Sequence, residues 1–167
     1  MKILVINGPN LNLLSRRNPA IYGNKSLEEI NLELKKRAEE IGVEVEFFQS
    51  NHEGEIIDKL QKEAKFDGVI INPGALAHYS YALRDALESL TKPIVEVHVS
   101  NIFGREGFRQ RSVTAAVCAG LLAGFGWQVY LFALDIIVKL AGGNLSSGRP
   151  SDNNKEGEGS DQPGSGA

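Results

Sequence analysis

The chain has 167 residues, 42% of them hydrophobic and 23% charged, and carries a net charge of -3. That length supports one domain with its own core, the acidic balance argues against a nucleic-acid partner, and no apolar run is long enough to span a membrane. Cys118 is the sole cysteine, which excludes an intrachain disulfide framework and fits a reducing compartment. The opening "MKILVING" reaches Asn and Pro too soon for a secretory signal, so a cytoplasmic protein is expected.

"KILVIN" (2–7) is a β-branched apolar run ended by "GPN" and reads as a first, buried strand. A long loop follows over 8–25. Ser26 and Glu29 then form a capping box. Leu27, Ile30, Leu34, Ala38 and Ile41 recur at helical spacing until Gly42 stops the run. "VEVEFF" (43–48) is a second strand and "QSNHEG" a polar loop. Ile56, Ile57, Leu60 and Ala64 mark a second helix, and "GVIIN" (68–72) a third strand followed by "PGALAH". Ala82, Leu83, Ala86, Leu87 and Leu90 mark a third helix, and "PIVEVH" (93–98) a fourth strand before the polar loop "VSNIFGREGFR". A short helix near 112–118, a fifth strand in "GLLAG" and a last helix over 127–141 complete the pattern. A continuous helix over 112–141 is the alternative, because short apolar runs are ambiguous.

Alternating strands and helices imply right-handed βαβ units and a parallel sheet covered on both faces. Five strands with an early capped helix fit an α/β, flavodoxin-like sheet. Residues 1–141 are expected to form this domain. Residues 142–167 are mostly Gly, Ser, Asp, Asn and Glu, with Leu145 their only large apolar side chain, and are expected to be a disordered tail.

In an open parallel sheet, ligands bind beyond the carboxyl ends of the strands. The first strand is followed by Asn10, Arg16, Arg17 and Tyr22, the second by Asn51, His52 and Glu53, and the third by Asn72, Pro73, Gly74 and His78. The fourth ends in Glu96, His98, Ser100 and Asn101, then Arg105 and Arg109. All three histidines of the chain therefore fall at one edge. Taken singly, each has a plain reading: His98 as a boundary histidine, His52 and His78 as surface residues or caps, Asp85 as a salt-bridge partner of Arg84, and "NGPN" and "NPGA" as turn chemistry. The histidines sit on three different loops without a short ligand spacing, which ranks a metal site low. The arginine fork suits phosphate and carboxylate alike. "GFGW" lacks the dinucleotide fingerprint, and no Walker A motif is present.

Taken together, the motifs are more specific. "NGPNLNLL", the R-x-P-x-x-Y-G run of Arg17, Pro19, Tyr22 and Gly23, "QSNHEGEIID" (49–58), "INPGALAHYSYALRDAL" (71–87) and "VEVHVSNIFGREGFRQRS" (95–112) resemble the type II 3-dehydroquinate dehydratases from residue 2 to about 140. The resemblance implies a flavodoxin-like, cofactor-free, metal-free hydro-lyase of the shikimate pathway that assembles as a homododecamer. In its pattern Tyr22 matches the base at C2 of 3-dehydroquinate, His98 the acid for the C1 hydroxyl, and Arg17 a lid arginine supporting the tyrosine. Asn72, His78, Asp85 and Arg109 match substrate-binding positions, as does the backbone at Val99 and Ser100. Asn10, Glu96 and Arg105 match supporting positions. Tyr79, Tyr81 and Gly107 depart from the family's usual residues, and the tail has no counterpart in it.

The implied chemistry suits these side chains. Removing a proton α to a carbonyl needs a base and an oxyanion stabiliser, and expelling a β-hydroxyl needs an acid that a histidine can supply near neutral pH. The rival reading is a flavodoxin-like binding or signalling domain for a phosphorylated ligand. A receiver domain calls for acidic residues after the first strand, where this chain has Asn7 and Asn10.

Overall fold

The computed structural model describes residues 1–16, 24–62 and 65–146. Five strands form one sheet: β1 (Lys2–Asn7), β2 (Glu44–Gln49), β3 (Gly68–Asn72), β4 (Ile94–His98) and β5 (Gly120–Ala123). Their order is β2-β1-β3-β4-β5 and every pairing is parallel. That is the flavodoxin-like order. Among the described residues, four α-helices cover the sheet: α1 (Leu27–Glu40), α2 (Glu53–Lys62), α3 (Tyr81–Glu88) and α4 (Val129–Ala141).

Period-two alternation along the strands divides the core into two layers. Ile3, Val5, Ile70, Val95 and Val97 pack against α1 and α4, through Ile30 and Leu34 on the first and Ala133, Leu134 and Ile137 on the second. Leu4, Ile6, Val69, Ile71 and Ile94 face α2 and α3, through Ile56, Leu60, Leu83 and Leu87. Each such fully buried aliphatic stabilises the fold by roughly 1.5–3 kcal/mol relative to exposure. At the start of α1, the Ser26 side chain accepts from Glu29 N–H while the Glu29 carboxylate accepts from Ser26 N–H, so the capping box is closed.

Some boundaries differ from the sequence reading. The "QSNHEG" loop is shorter than expected because α2 starts at Glu53: Ser50 Oγ accepts from His52 N–H at 2.9 Å and Ile56 N–H bonds His52 O. α3 stops at Glu88, so Leu90 lies beyond it, half-buried against the core. The expected helix near 112–118 is only a 3-10 turn at Ala115–Val117. A continuous helix over 112–141 is excluded, because Gly120–Ala123 pairs with β4 from Val95↔Gly120 to His98↔Ala123. Gly124 then turns with φ +93 before α4. Part of the first long loop is ordered as a 3-10 segment, Leu11–Arg16, that buries Leu11 and Leu14. Ala64 and residues 147–167 of the expected tail lie outside the described residues. Among the described residues, no helix is long and apolar enough to cross a membrane.

Candidate active site

The strand order reverses between β1 and β3, and there the sheet opens a crevice beyond its carboxyl edge. The last residues of these two strands, Asn7 and Asn72, are register partners. The turns that follow are packed backbone against backbone: Gly8 N–H donates to Asn72 O at 2.8 Å, and a Cβ on Gly8 would stand 2.4 Å from Pro73 O. Gly74 takes φ +58 on the opposite turn, where a Cβ would meet Pro9 O at 3.1 Å. Asn10 adopts φ 68, and its N–H donates to Asn51 Oδ1 at 2.9 Å. The glycines and asparagines of "NGPN" and "NPGA" are thus what lets the two turns close over one floor.

A cavity of about 130 Å³ lies there, lined by Pro9, Asn10 and Leu11 after β1, Asn72, Gly74, Ala75 and His78 after β3, and His98, Val99, Ser100, Ile102, Arg105 and Arg109 from β4 onward. Nine of the residues singled out from the sequence therefore meet in one place: Asn10, Asn72, Gly74, His78, His98, Val99, Ser100, Arg105 and Arg109. Glu96 sits behind them, fully buried beside His98. Asp85 does not line this cavity; it is exposed on α3. His52 is exposed and also outside the lining, so two of the three histidines converge rather than all of them. Arg17 and Tyr22 lie outside the described residues.

Two hydrogen bonds orient the histidines. His98 Nε2 is 2.7 Å from Glu96 Oε1. With Nε2 donating to the carboxylate, Nδ1 is the ring atom left to exchange a proton with an occupant of the cavity. Glu96 also accepts from Ser112 Oγ at 2.7 Å and Thr114 Oγ1 at 2.6 Å, so its burial is matched by donors. His78 Nδ1 is 2.8 Å from Arg111 O; a carbonyl only accepts, so Nδ1 carries the proton and neutral His78 offers Nε2 as an acceptor. The two imidazoles stack with centroids 6.4 Å apart, and Phe108 meets His78 edge-on at 6.1 Å.

Next to the histidines, beyond Phe108, the rim is cationic. Arg109 packs over the Phe108 ring at 4.7 Å, and its Nε lies 3.1 Å from Glu106 Oε2 in an ion-pair contact whose N–H direction does not complete a hydrogen bond. Glu106 is held below the usual carboxylate range by its own backbone amide first, with Arg105 and Arg109 adding to it and desolvation opposing. A ligand carboxylate at this rim finds guanidinium groups already partly desolvated.

Below the cavity is a polar network that the sequence reading missed. Tyr130, on α4 and fully buried, donates from its hydroxyl to Asn7 Oδ1 at 2.6 Å and accepts from Asn72 Nδ2 at 2.9 Å. Burial pushes its phenol far above the ordinary value, only partly offset by Asn72. Ser112 and Thr114 were missed as well; their signal was the run of hydroxyls in "RSVT" after a polar loop, which fixes no partner by itself. Among the described residues, no group of three or more His, Cys, Asp and Glu side chains is arranged to hold a metal ion.

Comparison with known proteins places this architecture. The profile of the family described as "Dehydroquinase class II" matches residues 1–138. A 3-dehydroquinate dehydratase of Halothermothrix orenii is 57% identical over 140 residues, spanning 83% of this chain and 95% of that protein. The enzyme of the same name from Thermotoga maritima is 57% identical over 139 residues, 83% of this chain and 96% of that protein. The crystal structure of a type II dehydroquinase from Butyrivibrio crossotus superposes with a TM-score of 0.81 at 50% identity, covering 83% of this chain and 97% of that one. A sheet of this order, a crevice at its switch point and a match over nearly the whole described length leave one assignment: the chain belongs to the class II dehydroquinase family.

Proposed function

We propose that the chain is a 3-dehydroquinate dehydratase, converting 3-dehydroquinate to 3-dehydroshikimate and water without a cofactor or metal. The observation that carries this reading is the meeting of His98, His78, Asn72 and Arg109 around one small cavity, with His98 held by the buried Glu96 carboxylate. An elimination through an enolate needs an acid, donors for a developing oxyanion and a cationic seat for the substrate carboxylate, and these residue types supply all three.

Tyr22, as phenolate, takes the proton from C2, and the electron pair moves into the C3 carbonyl to form the enolate. As the carbonyl re-forms, the C1–O bond breaks and His98, as imidazolium, delivers a proton from Nδ1 to the leaving hydroxyl, releasing water. One proton has entered Tyr22 and one has left His98, so a single net transfer back through solvent resets the site. Glu96 stabilises the imidazolium before the transfer and holds the ring in orientation. Asn72 and His78 bind substrate hydroxyl and carbonyl groups, Arg109 with the Val99–Ser100 backbone receives the carboxylate, and Arg17 supports the Tyr22 phenolate. Asn10 and Arg105, both in the cavity lining, act as supporting residues. The chain works as a homododecamer in the cytoplasm, within the shikimate pathway.

The test is direct. The conjugated product absorbs in the near ultraviolet, so purified protein with 3-dehydroquinate should give a rising absorbance, and that activity should survive a chelator and prior treatment with borohydride in the presence of substrate. No absorbance change would refute the proposed activity, and borohydride inactivation leaving an adduct on a lysine would replace the enolate mechanism with an imine.

A further inference from the structure

The polar cluster under the cavity has a property that its members lack singly: it has a direction. The Tyr130 hydroxyl owns one hydrogen and sits between two carboxamides, Asn7 Oδ1 at 2.6 Å and Asn72 Nδ2 at 2.9 Å. Two arrangements are chemically consistent. In one, Asn72 donates to Tyr130, which donates to Asn7. In the other, both amides are turned over, Asn7 donates to Tyr130, and Tyr130 donates to the Asn72 oxygen.

The Gly74 N–H, 3.2 Å from Asn72 Oδ1, selects between them. Turning the Asn72 amide over would aim its NH2 group at this backbone N–H, donor against donor. The turn that carries this donor is tied to the facing one by the Gly8 N–H bond to Asn72 O at 2.8 Å. The selected arrangement leaves one Nδ2 hydrogen of Asn72 uncommitted, and Asn72 lines the cavity. A cost accompanies it: Asn7 Nδ2 is buried without a partner. A neutral phenol is needed for this relay, and full burial keeps Tyr130 protonated.

We propose that Tyr130 is a positioning residue that, with Asn7, locks the Asn72 carboxamide so that it presents an N–H donor to the cavity, selecting ligands that place an acceptor oxygen there. Tyr130 itself is fully buried and absent from the cavity lining, so it acts through Asn72. The inference rests on the proposed dehydratase reading for the identity of the ligand, but not for the lock itself.

The experiment is therefore split. In ligand-free protein labelled with nitrogen-15, the two Asn72 side-chain amide protons should be well separated, with the one bonded to Tyr130 protected from exchange, and Tyr130→Phe should collapse both features. Unchanged Asn72 amide signals in Tyr130→Phe would overturn the lock whatever the enzyme does. With 3-dehydroquinate, Tyr130→Phe should lower kcat/KM roughly tenfold or more, the scale of one misdirected buried hydrogen bond. In an Asn72→Ala background, the same change should have almost no further effect on kcat/KM while still lowering Tm. Independent, multiplying losses in the double variant would show a general structural role and overturn the proposal. If Tyr130→Phe does not fold, Asn7→Ala removes the acceptor and keeps the ring, with the same pattern expected. Wild-type protein that forms no product, yet displays the Asn72 signals described, would count against the dehydratase reading and not against the lock.

Discussion

Glu96 and His98 lie two residues apart on β4, both buried, with Oε1 and Nε2 2.7 Å apart. Residues i and i+2 share one face of a strand, so the backbone alone brings the carboxylate beside the imidazole. Ser112 and Thr114 then supply the hydroxyl donors that a buried carboxylate requires.

Glu96→Gln isolates the charge in this pair. A glutamine can keep its oxygen toward His98 and Ser112 and turn its NH2 toward Thr114 Oγ1, because a hydroxyl accepts as well as donates. The fold should persist, with little change in KM, while kcat falls roughly tenfold or more as the imidazolium loses its counter-charge. His98→Ala removes the acid itself and should cost roughly 10²–10⁴-fold in turnover. Steady-state kinetics with thermal melts check both. A folded His98→Ala protein with near-normal turnover would remove His98 from the mechanism.

Tyr22 and Arg17 are tested against Arg16, which is exposed at the end of the Leu11–Arg16 segment. A free tyrosine has a pKa of about 10, so a base at neutral pH needs a nearby cation to favour the phenolate. Tyr22→Phe should abolish turnover and still bind substrate, measured by calorimetry. Arg17→Ala should greatly reduce turnover, and Arg16→Ala should leave it close to wild type. Equal effects of the two arginine substitutions would defeat the assignment of Arg17.

Strands β1 to β4 were legible because they are runs of β-branched and aromatic residues with turn residues after each, whereas β5, "GLLA", has no β-branched residue and left a helix open, and α1 was legible because Ser26, Glu29 and the Leu27–Ile30–Leu34–Ala38 stripe agree. The cavity residues on the β1, β3 and β4 loops were legible because a parallel sheet sends every carboxyl end to one edge. Other features were not. Tyr130 hides in "VYLFALDII", where a lone tyrosine reads as core, and its partners Asn7 and Asn72 are 123 and 58 residues away. His52 belongs to the same edge in sequence, yet β2 is the outer strand of the order, and its loop meets the cavity wall through Asn51, on Asn10, while His52 stays exposed outside the lining. The α2 start was misread because Glu53 and Gly54 look like loop residues, although His52 O already accepts the first helical bond, from Ile56 N–H, while Ser50 Oγ holds the His52 N–H.

Glu46 predicts how stability responds to acid. Its carboxylate takes Lys59 Nζ at 2.6 Å and Lys2 Nζ at 2.9 Å, joining β1, β2 and α2. The Lys59 hydrogen bond first, then that of Lys2, hold its carboxyl below the ordinary value, against a smaller desolvation effect. A depressed folded-state pKa means that the contribution is complete above the unfolded carboxyl's pKa and is lost as pH falls through the folded value. Glu46→Gln should therefore be less stable than wild type at pH 7. In denaturant titrations, that difference should shrink as pH drops through and below the usual carboxylate range. A gap independent of pH would mean the effect is packing rather than charge.

Gly8 and Gly54 separate the closure of the site from general glycine effects. A Cβ on Gly8 would stand 2.4 Å from Pro73 O and 2.7 Å from Pro73 C, both backbone atoms of the facing turn. Nothing flexible can yield there, so Gly8→Ala must push the β1 and β3 turns apart. It would also strain the Gly8 N–H bond to Asn72 O and widen the floor that carries Asn72. Gly54, in the first turn of α2, has nothing within 4 Å of its would-be Cβ. Gly54→Ala should raise stability by roughly 0.5–1 kcal/mol through lower unfolded-chain entropy and leave kinetics unchanged. Gly8→Ala should lose roughly 2 kcal/mol or more of stability, with kcat/KM falling further than the melt alone accounts for. The comparison needs only urea titrations and steady-state kinetics on two single variants. A Gly8→Ala protein with wild-type kinetics would mean that the two turns do not set the geometry of the cavity.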